Sequence, residues 1–130
     1  MQKELIDNNP LLKLSLEFSI LILELCDSLN DLKKYTISNQ IVRSGTSIGA
    51  NAMEAQNAES KADFIHKMKI AAKEADETQY WLTLCELSKG YPDINILTNK
   101  LTELQKILNS ILGTARRKSP LNYFLSLFIF

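Results

Sequence analysis

The sequence predicts an all-α protein: an antiparallel up-down four-helix bundle in one domain, with a short apolar C-terminal tail. Three observations carry that prediction. Apolar residues recur at alternating steps of three and four through most of the 130 residues, the spacing of one buried helical face. All three prolines stand at the edges of these periodic segments, where they open a helix or forbid its continuation. Ahead of the tail, no run alternates apolar and polar residues as a half-buried strand does.

The first helix is predicted over about residues 10–29. Asn9 offers an N-cap and Pro10 suits the first helical position, where its missing N–H would be unpaired anyway. Two apolar stripes run along it. One is Leu11, Leu14, Phe18, Leu21 and Leu25; the other is Leu12, Leu16, Ile20 and Leu23. A single bundle core cannot use both fully. The second stripe, centred on Leu16 and Ile20, either widens the core face or packs on a neighbouring protomer.

Residues 30–35 connect to a second helix over about 37–58, with Thr36 ahead of it. Here Ile41, Gly45, Ile48, Ala52 and Ala55 share one side. Glycine inside a helix costs roughly 1 kcal/mol relative to alanine, so Gly45 and Gly49 imply close approach of another helix. The small face is expected to pack within the chain, on the third or fourth helix. A polar row of Arg43, Ser47, Asn51 and Glu54 runs beside it.

Ser60 with Asp63 forms a short capping box opening the third helix, about 61–89, with aspartate a weaker partner than the preferred glutamate. Its seam is Phe64, Met68, Ala71, Ala75, Thr78, Leu82 and Cys85. Gly90 is expected as C-cap, and Tyr91-Pro92-Asp93 turns the chain into the fourth helix, about 94–117. Ile94, Leu97, Leu101, Leu104, Leu108, Ile111 and Ala115 repeat there without interruption. Such 3.5-residue seams favour helices packed about 20° from antiparallel. The bundle therefore spans 1–118 and the tail 119–130. Four of the ten aromatic residues fall in the last ten positions, so the tail needs cover from its own bundle or a neighbour, or it is a sticky end.

Composition narrows the function classes. Fifteen basic and fifteen acidic residues cancel, so no global field draws nucleic acid or an anionic membrane. Cys26 and Cys85 lie in apolar helical runs with no metal-ligand spacing, which points to reduced core thiols and a cytoplasmic setting. The amino terminus has no apolar core of a secretory signal, and Glu17 and Glu24 interrupt the first helix's apolar run, so no membrane span is expected.

Chemistry is sought with little result. His66 is the only histidine; without a zinc-binding or nucleophile context it reads as a solvated or hydrogen-bonded side chain. Gly45 and Gly49 lack the strand, lysine and hydroxyl of a phosphate-binding loop. No catalytic residues, cofactor, metal or small-molecule substrate are expected. The candidate nucleic-acid contacts are His66, Lys69 and Lys73 on one face of the third helix, and Arg116, Arg117 and Lys118 at the end of the fourth. Taken singly these suit a solvated face and a favourable helix dipole; repeated around an assembly axis, a weak basic face becomes a strong one.

One segment carries a family resemblance. Gln40-Ile41-Val42-Arg43 with Ser47-Ile48, Asn51 and Glu54-Ala55, followed by Ser60-Lys61-Ala62-Asp63-Phe64-Ile65, Ala71, Glu77 and Leu82, resembles the four-helix-bundle proteins encoded in intervening sequences of bacterial large-subunit ribosomal RNA genes. The likeness runs from about Leu11 to Arg117. Lys73-Glu74 stand where many members have a small pair, and the tail has no counterpart. The resemblance implies a homo-oligomer, a pentamer, with RNA or a ribonucleoprotein as partner; a related group serves reverse transcriptases of diversity-generating retroelements as accessory proteins. It also marks Arg43 and Glu77 as motif positions. Antiparallel packing across the join near residue 59 puts Arg43 level with Asp76 and Glu77, and Glu54 level with His66, so Arg43 and Glu77 are expected to form a structural, partly buried ion pair. The expected function is a non-enzymatic, homo-oligomeric interaction module associated with RNA, or alternatively a protein-only scaffold or accessory subunit.

Overall fold

Caps and turns fix where each helix starts and stops. The computed structural model describes residues 2–117, which form α1 (Gln2–Asp7), α2 (Pro10–Asp31), α3 (Tyr35–Ala55), α4 (Lys61–Leu87) and α5 (Asn95–Arg117). The short α1 was not anticipated from the sequence; it packs against α2, with Ile6 resting on the core. Asn9 caps α2 as expected, its Oδ1 accepting from the N–H groups of Leu11 (3.1 Å) and Leu12 (3.3 Å).

At the far end of α2 the Lys33 N–H donates to the Asn30 carbonyl (2.9 Å) and the Lys34 N–H to the Leu29 carbonyl (2.8 Å). Lys33 sits in the left-handed region at φ 60°. This is a Schellman closure with lysine where glycine is the usual occupant. The tight turn lets α3 begin at Tyr35 behind Lys34, which makes no side-chain cap bond. Thr36 therefore lies inside the first turn.

α3 ends at Ala55 because the next N–H groups switch to carbonyls three residues back: Gln56 to Met53, Asn57 to Glu54 and Ala58 to Ala55. Such bonds tighten a last turn and end a helix. Ser60 Oγ accepts from the Asp63 N–H (3.0 Å), while the Asp63 carboxylate reaches back to the Glu59 N–H (3.2 Å). α4 stops at Leu87, with Ser88 extended. Gly90, at φ 80°, lies beyond that cap and serves the turn into α5. The Asp93 carboxylate accepts from the Asn95 N–H (2.9 Å) and starts α5.

α2 neighbours α3, α3 neighbours α4, α4 neighbours α5, and α5 returns to α2. Consecutive helices run antiparallel, since partners along α3 rise as those along α4 fall: Arg43 meets Glu77, and Glu54 meets Lys67. The predicted seams of α4 and α5 are buried at every position named above, as are Ile41, Gly45, Ile48, Ala52 and Ala55 of α3. Of the first α2 stripe, Leu11, Phe18 and Leu25 are buried, and Leu14 and Leu21 are half-buried.

The glycine face goes elsewhere than expected. Gly45 and Gly49 face α2, not the third or fourth predicted helix. A Cβ on Gly45 would stand 2.9 Å from Ile22 Cγ1, and one on Gly49 would stand 3.1 Å from Ser15 Cβ. The side of α3 turned to α4 is the one carrying Arg43, Ser44 and Glu54. The one-position step from Ser44 to Gly45 turns about 100° around the helix, enough to change neighbours.

Candidate functional site

The α2 residues left over after the core is filled form an apolar surface. Leu12 enters the core, but Leu16, Ile20 and Leu23 are 47%, 50% and 50% exposed. The wide-core alternative thus fails for three of the four residues of the second stripe. The surface continues onto α3 through a groove of about 290 Å³ lined by Leu12, Leu16, Ser19, Gly49, Ala50 and Met53. The small residues that let α2 and α3 approach also keep this groove shallow. Ala52, placed with the glycines in the sequence reading, is fully buried and does not line it.

The polar row of α3 is largely self-satisfied. Ser47 Oγ donates to the Arg43 carbonyl, and Asn51 Nδ2 to the Ser47 carbonyl at 2.8 Å, as short polar side chains do when they bond back one turn. Glu54 pairs with Lys67 at 3.2 Å, one position past His66. Arg43 reaches across to Glu77 and also to Glu74, at 3.5 Å, in place of Asp76. Trp81 Nε1 donates to the same Glu77 carboxylate at 3.3 Å. The arginine side chain is 51% exposed and that of Glu77 38%, so this network borders solvent. Beneath it, Thr78 donates to Ser44 across the α3–α4 contact at 3.0 Å.

His66, Lys69 and Lys73 are all exposed on α4, and neither lysine forms an ion pair with a described residue. Arg116 and Arg117 close α5, and Lys118 and the apolar tail lie outside the described residues. Cys26 and Cys85 are buried and free. Burial pushes both thiols above the ordinary 9.0, which keeps them protonated and poorly nucleophilic. The Cys26 Sγ–H and Ser38 Oγ–H each donate to the other residue's carbonyl, tying α2 to α3. Among the described residues no group of three His, Cys, Asp or Glu side chains could hold a metal ion, and no helix is long and apolar enough to cross a membrane.

A further cleft was passed over in the sequence as a mere connection. At the α2–α3 turn, Lys33, Lys34, Tyr35 and Gln40 face Trp81 of α4 and Tyr91 of the α4–α5 loop around about 550 Å³. Lys34 Nζ sits 4.3 Å above the Tyr91 ring. The available signal was three aromatic residues outside every core seam, joined in sequence to a lysine pair.

The comparisons with known proteins agree with this architecture. The profile of the family described as 23S rRNA-intervening sequence protein matches residues 7–110. A crystal structure of a protein of unknown function from the S23 ribosomal protein family of Bacteroides thetaiotaomicron is similar at 46% identity and a TM-score of 0.77, covering 80% of this chain and 99% of its own. No curated protein matches the chain. Taken with four long antiparallel helices and the motif residues of α3 and α4, these matches show that the chain belongs to the 23S rRNA-intervening sequence protein family.

Proposed function

We propose that the chain is a non-enzymatic, homo-oligomeric interaction module, pentameric as the family resemblance implies, whose partner is RNA or a ribonucleoprotein. The observation that carries the oligomer is the uncovered face of Leu16, Ile20 and Leu23 with its groove on α3. Contiguous apolar surface of this kind is characteristic of interfaces. The family's link to 23S rRNA supports the RNA partner, and the unpaired Lys69 and Lys73 supply cations that assembly would repeat.

Light scattering tests the first half: the mass should be several times 14.7 kDa. Leu16→Glu or Ile20→Glu should lower that mass more than it lowers helicity, because the charge is tolerated in water but not in an apolar interface. A monodisperse wild-type monomer at micromolar concentration would sink the proposal. A protein-only scaffold is the second reading, favoured by the exact balance of basic and acidic residues. Retention of single-stranded RNA that weakens steeply with salt selects the first reading, and no retention at moderate salt selects the second.

A further inference from the structure

We infer that the cleft at the α2–α3 turn holds one nucleotide of a single-stranded RNA, its base against the aromatic walls and its phosphate at Lys33 and Lys34. This rests on the RNA reading above and names a place and a mode for it. Three properties of the cleft converge on that ligand.

Its charge is of one sign. The chain as a whole is neutral, yet the charged residues lining the cleft are Lys33 and Lys34, with no carboxylate among them. Neither lysine forms an ion pair with a described residue. The nearby Glu77 is engaged by Arg43 and by the Trp81 indole N–H, which turns its charge away from the opening.

Its walls suit a planar ring. Tyr35, Trp81 and Tyr91 contribute aromatic surface, and Tyr35 remains 54% exposed. Aromatic faces beside a cationic groove are how proteins hold single-stranded nucleic acid, because every base has a face that stacks. The Gln40 side-chain amide adds a donor and an acceptor for a base edge. A volume of about 550 Å³ falls within the usual range for small-ligand sites.

Its backbone holds a cation at a cost in stability. Lys33 occupies the left-handed position of the helix closure, at φ 60°, where glycine avoids a steric penalty. The side chain gains no ion pair there. Placement at the cleft rim gives the lysine a purpose that the turn alone does not.

Trp81 is the chain's single tryptophan, so its emission reports this cleft and nothing else. The test titrates the full chain with an end-labelled oligoadenylate RNA decamer, following Trp81 emission and label anisotropy together. Saturable quenching that tracks the anisotropy is expected. Tyr35→Ala should weaken binding about tenfold, the loss of one stacked base. The double variant Lys33→Gly/Lys34→Gln keeps the turn's geometry, and should make the log–log salt slope shallower by about 1.4, or 0.7 per lost phosphate contact. Unaltered circular dichroism certifies the fold of each variant.

Anisotropy without quenching, or equal binding by all variants, would overturn the cleft while leaving the RNA reading intact. Absence of any anisotropy change removes both. A fall in oligomer mass for Tyr35→Ala would assign the cleft to a second copy of the chain, and quenching by a proline-rich peptide but not by RNA would assign it to a protein partner. Either of these outcomes overturns the inference.

Discussion

Ser15 holds a buried hydroxyl with no hydrogen-bond partner, pressed against Gly49 where α2 and α3 approach. A stranded buried donor costs about 1–3 kcal/mol, so Ser15→Ala, which keeps the Cβ and removes the hydroxyl, should raise stability by about 1 kcal/mol in equilibrium denaturation. Retention of the wild-type midpoint would mean that the hydroxyl finds a partner in solution. Gly45 is subject to a different balance. Alanine gains about 1 kcal/mol of helix propensity, but its Cβ would lie 2.9–3.1 Å from three carbons of Ile22, and overpacking typically costs about 1–3 kcal/mol. Because Ile22 is branched and fully buried, the clash wins, and Gly45→Ala is expected to destabilise. Ile22→Val should relieve part of the loss, so a double-mutant cycle is expected to show coupling of at least about 0.5 kcal/mol. Additivity would refute close contact. Arg43 and Glu77 illustrate the opposite case. With side chains 51% and 38% exposed, their pair is worth less than about 1 kcal/mol, well short of the cost of breaking a buried pair.

At the scale of elements, legibility followed periodicity. The α4 and α5 seams could be read position by position because each runs along a single face, and Asn9, Pro10 and Ser60 announced their helices by their own capping chemistry. Two things were not legible. The direction of the glycine face depends on which neighbour a rotation of about 100° selects, and a small residue offers no preference between helices. The α2–α3 turn was hidden for another reason: its left-handed residue is Lys33 instead of glycine, so the usual stop signal is missing. That turn yields a prediction of its own. Lys33→Gly should stabilise the fold by about 1 kcal/mol, since a left-handed conformation costs a side-chain-bearing residue about 1–2 kcal/mol while the added backbone freedom of glycine in the unfolded chain takes some back. An unchanged or lower melting temperature would show that the lysine side chain stabilises the turn through a contact that compensates for its conformation.

For the molecule as a whole, the neutral balance of charge and the exposed apolar face belong together. A single copy offers RNA only a few cations, which the salt of a cell screens within about 8 Å. Joining copies through Leu16, Ile20 and Leu23 would set several α4 faces and several cleft mouths around one particle without adding a charge to any chain. Binding through linked sites gains about 10²–10⁴-fold over one site when the geometry allows simultaneous contact. RNA affinity is therefore expected to depend on residues that never meet RNA. Leu16→Glu, which lies on the apolar face and removes no cation, should lower the apparent affinity for a long single-stranded RNA by at least about a hundredfold while leaving affinity for a decamer within about threefold, because a decamer engages few copies at once. Lys73→Gln should act the other way round, weakening both RNAs and reducing the salt slope in proportion to the number of faces engaged. Anisotropy titrations of the two RNA lengths against wild type and both variants, with mass measured on the same samples, separate the cases. If the Leu16→Glu protein is monomeric and still binds long RNA as tightly as wild type, the assembled surface contributes nothing, and recognition resides wholly within one bundle.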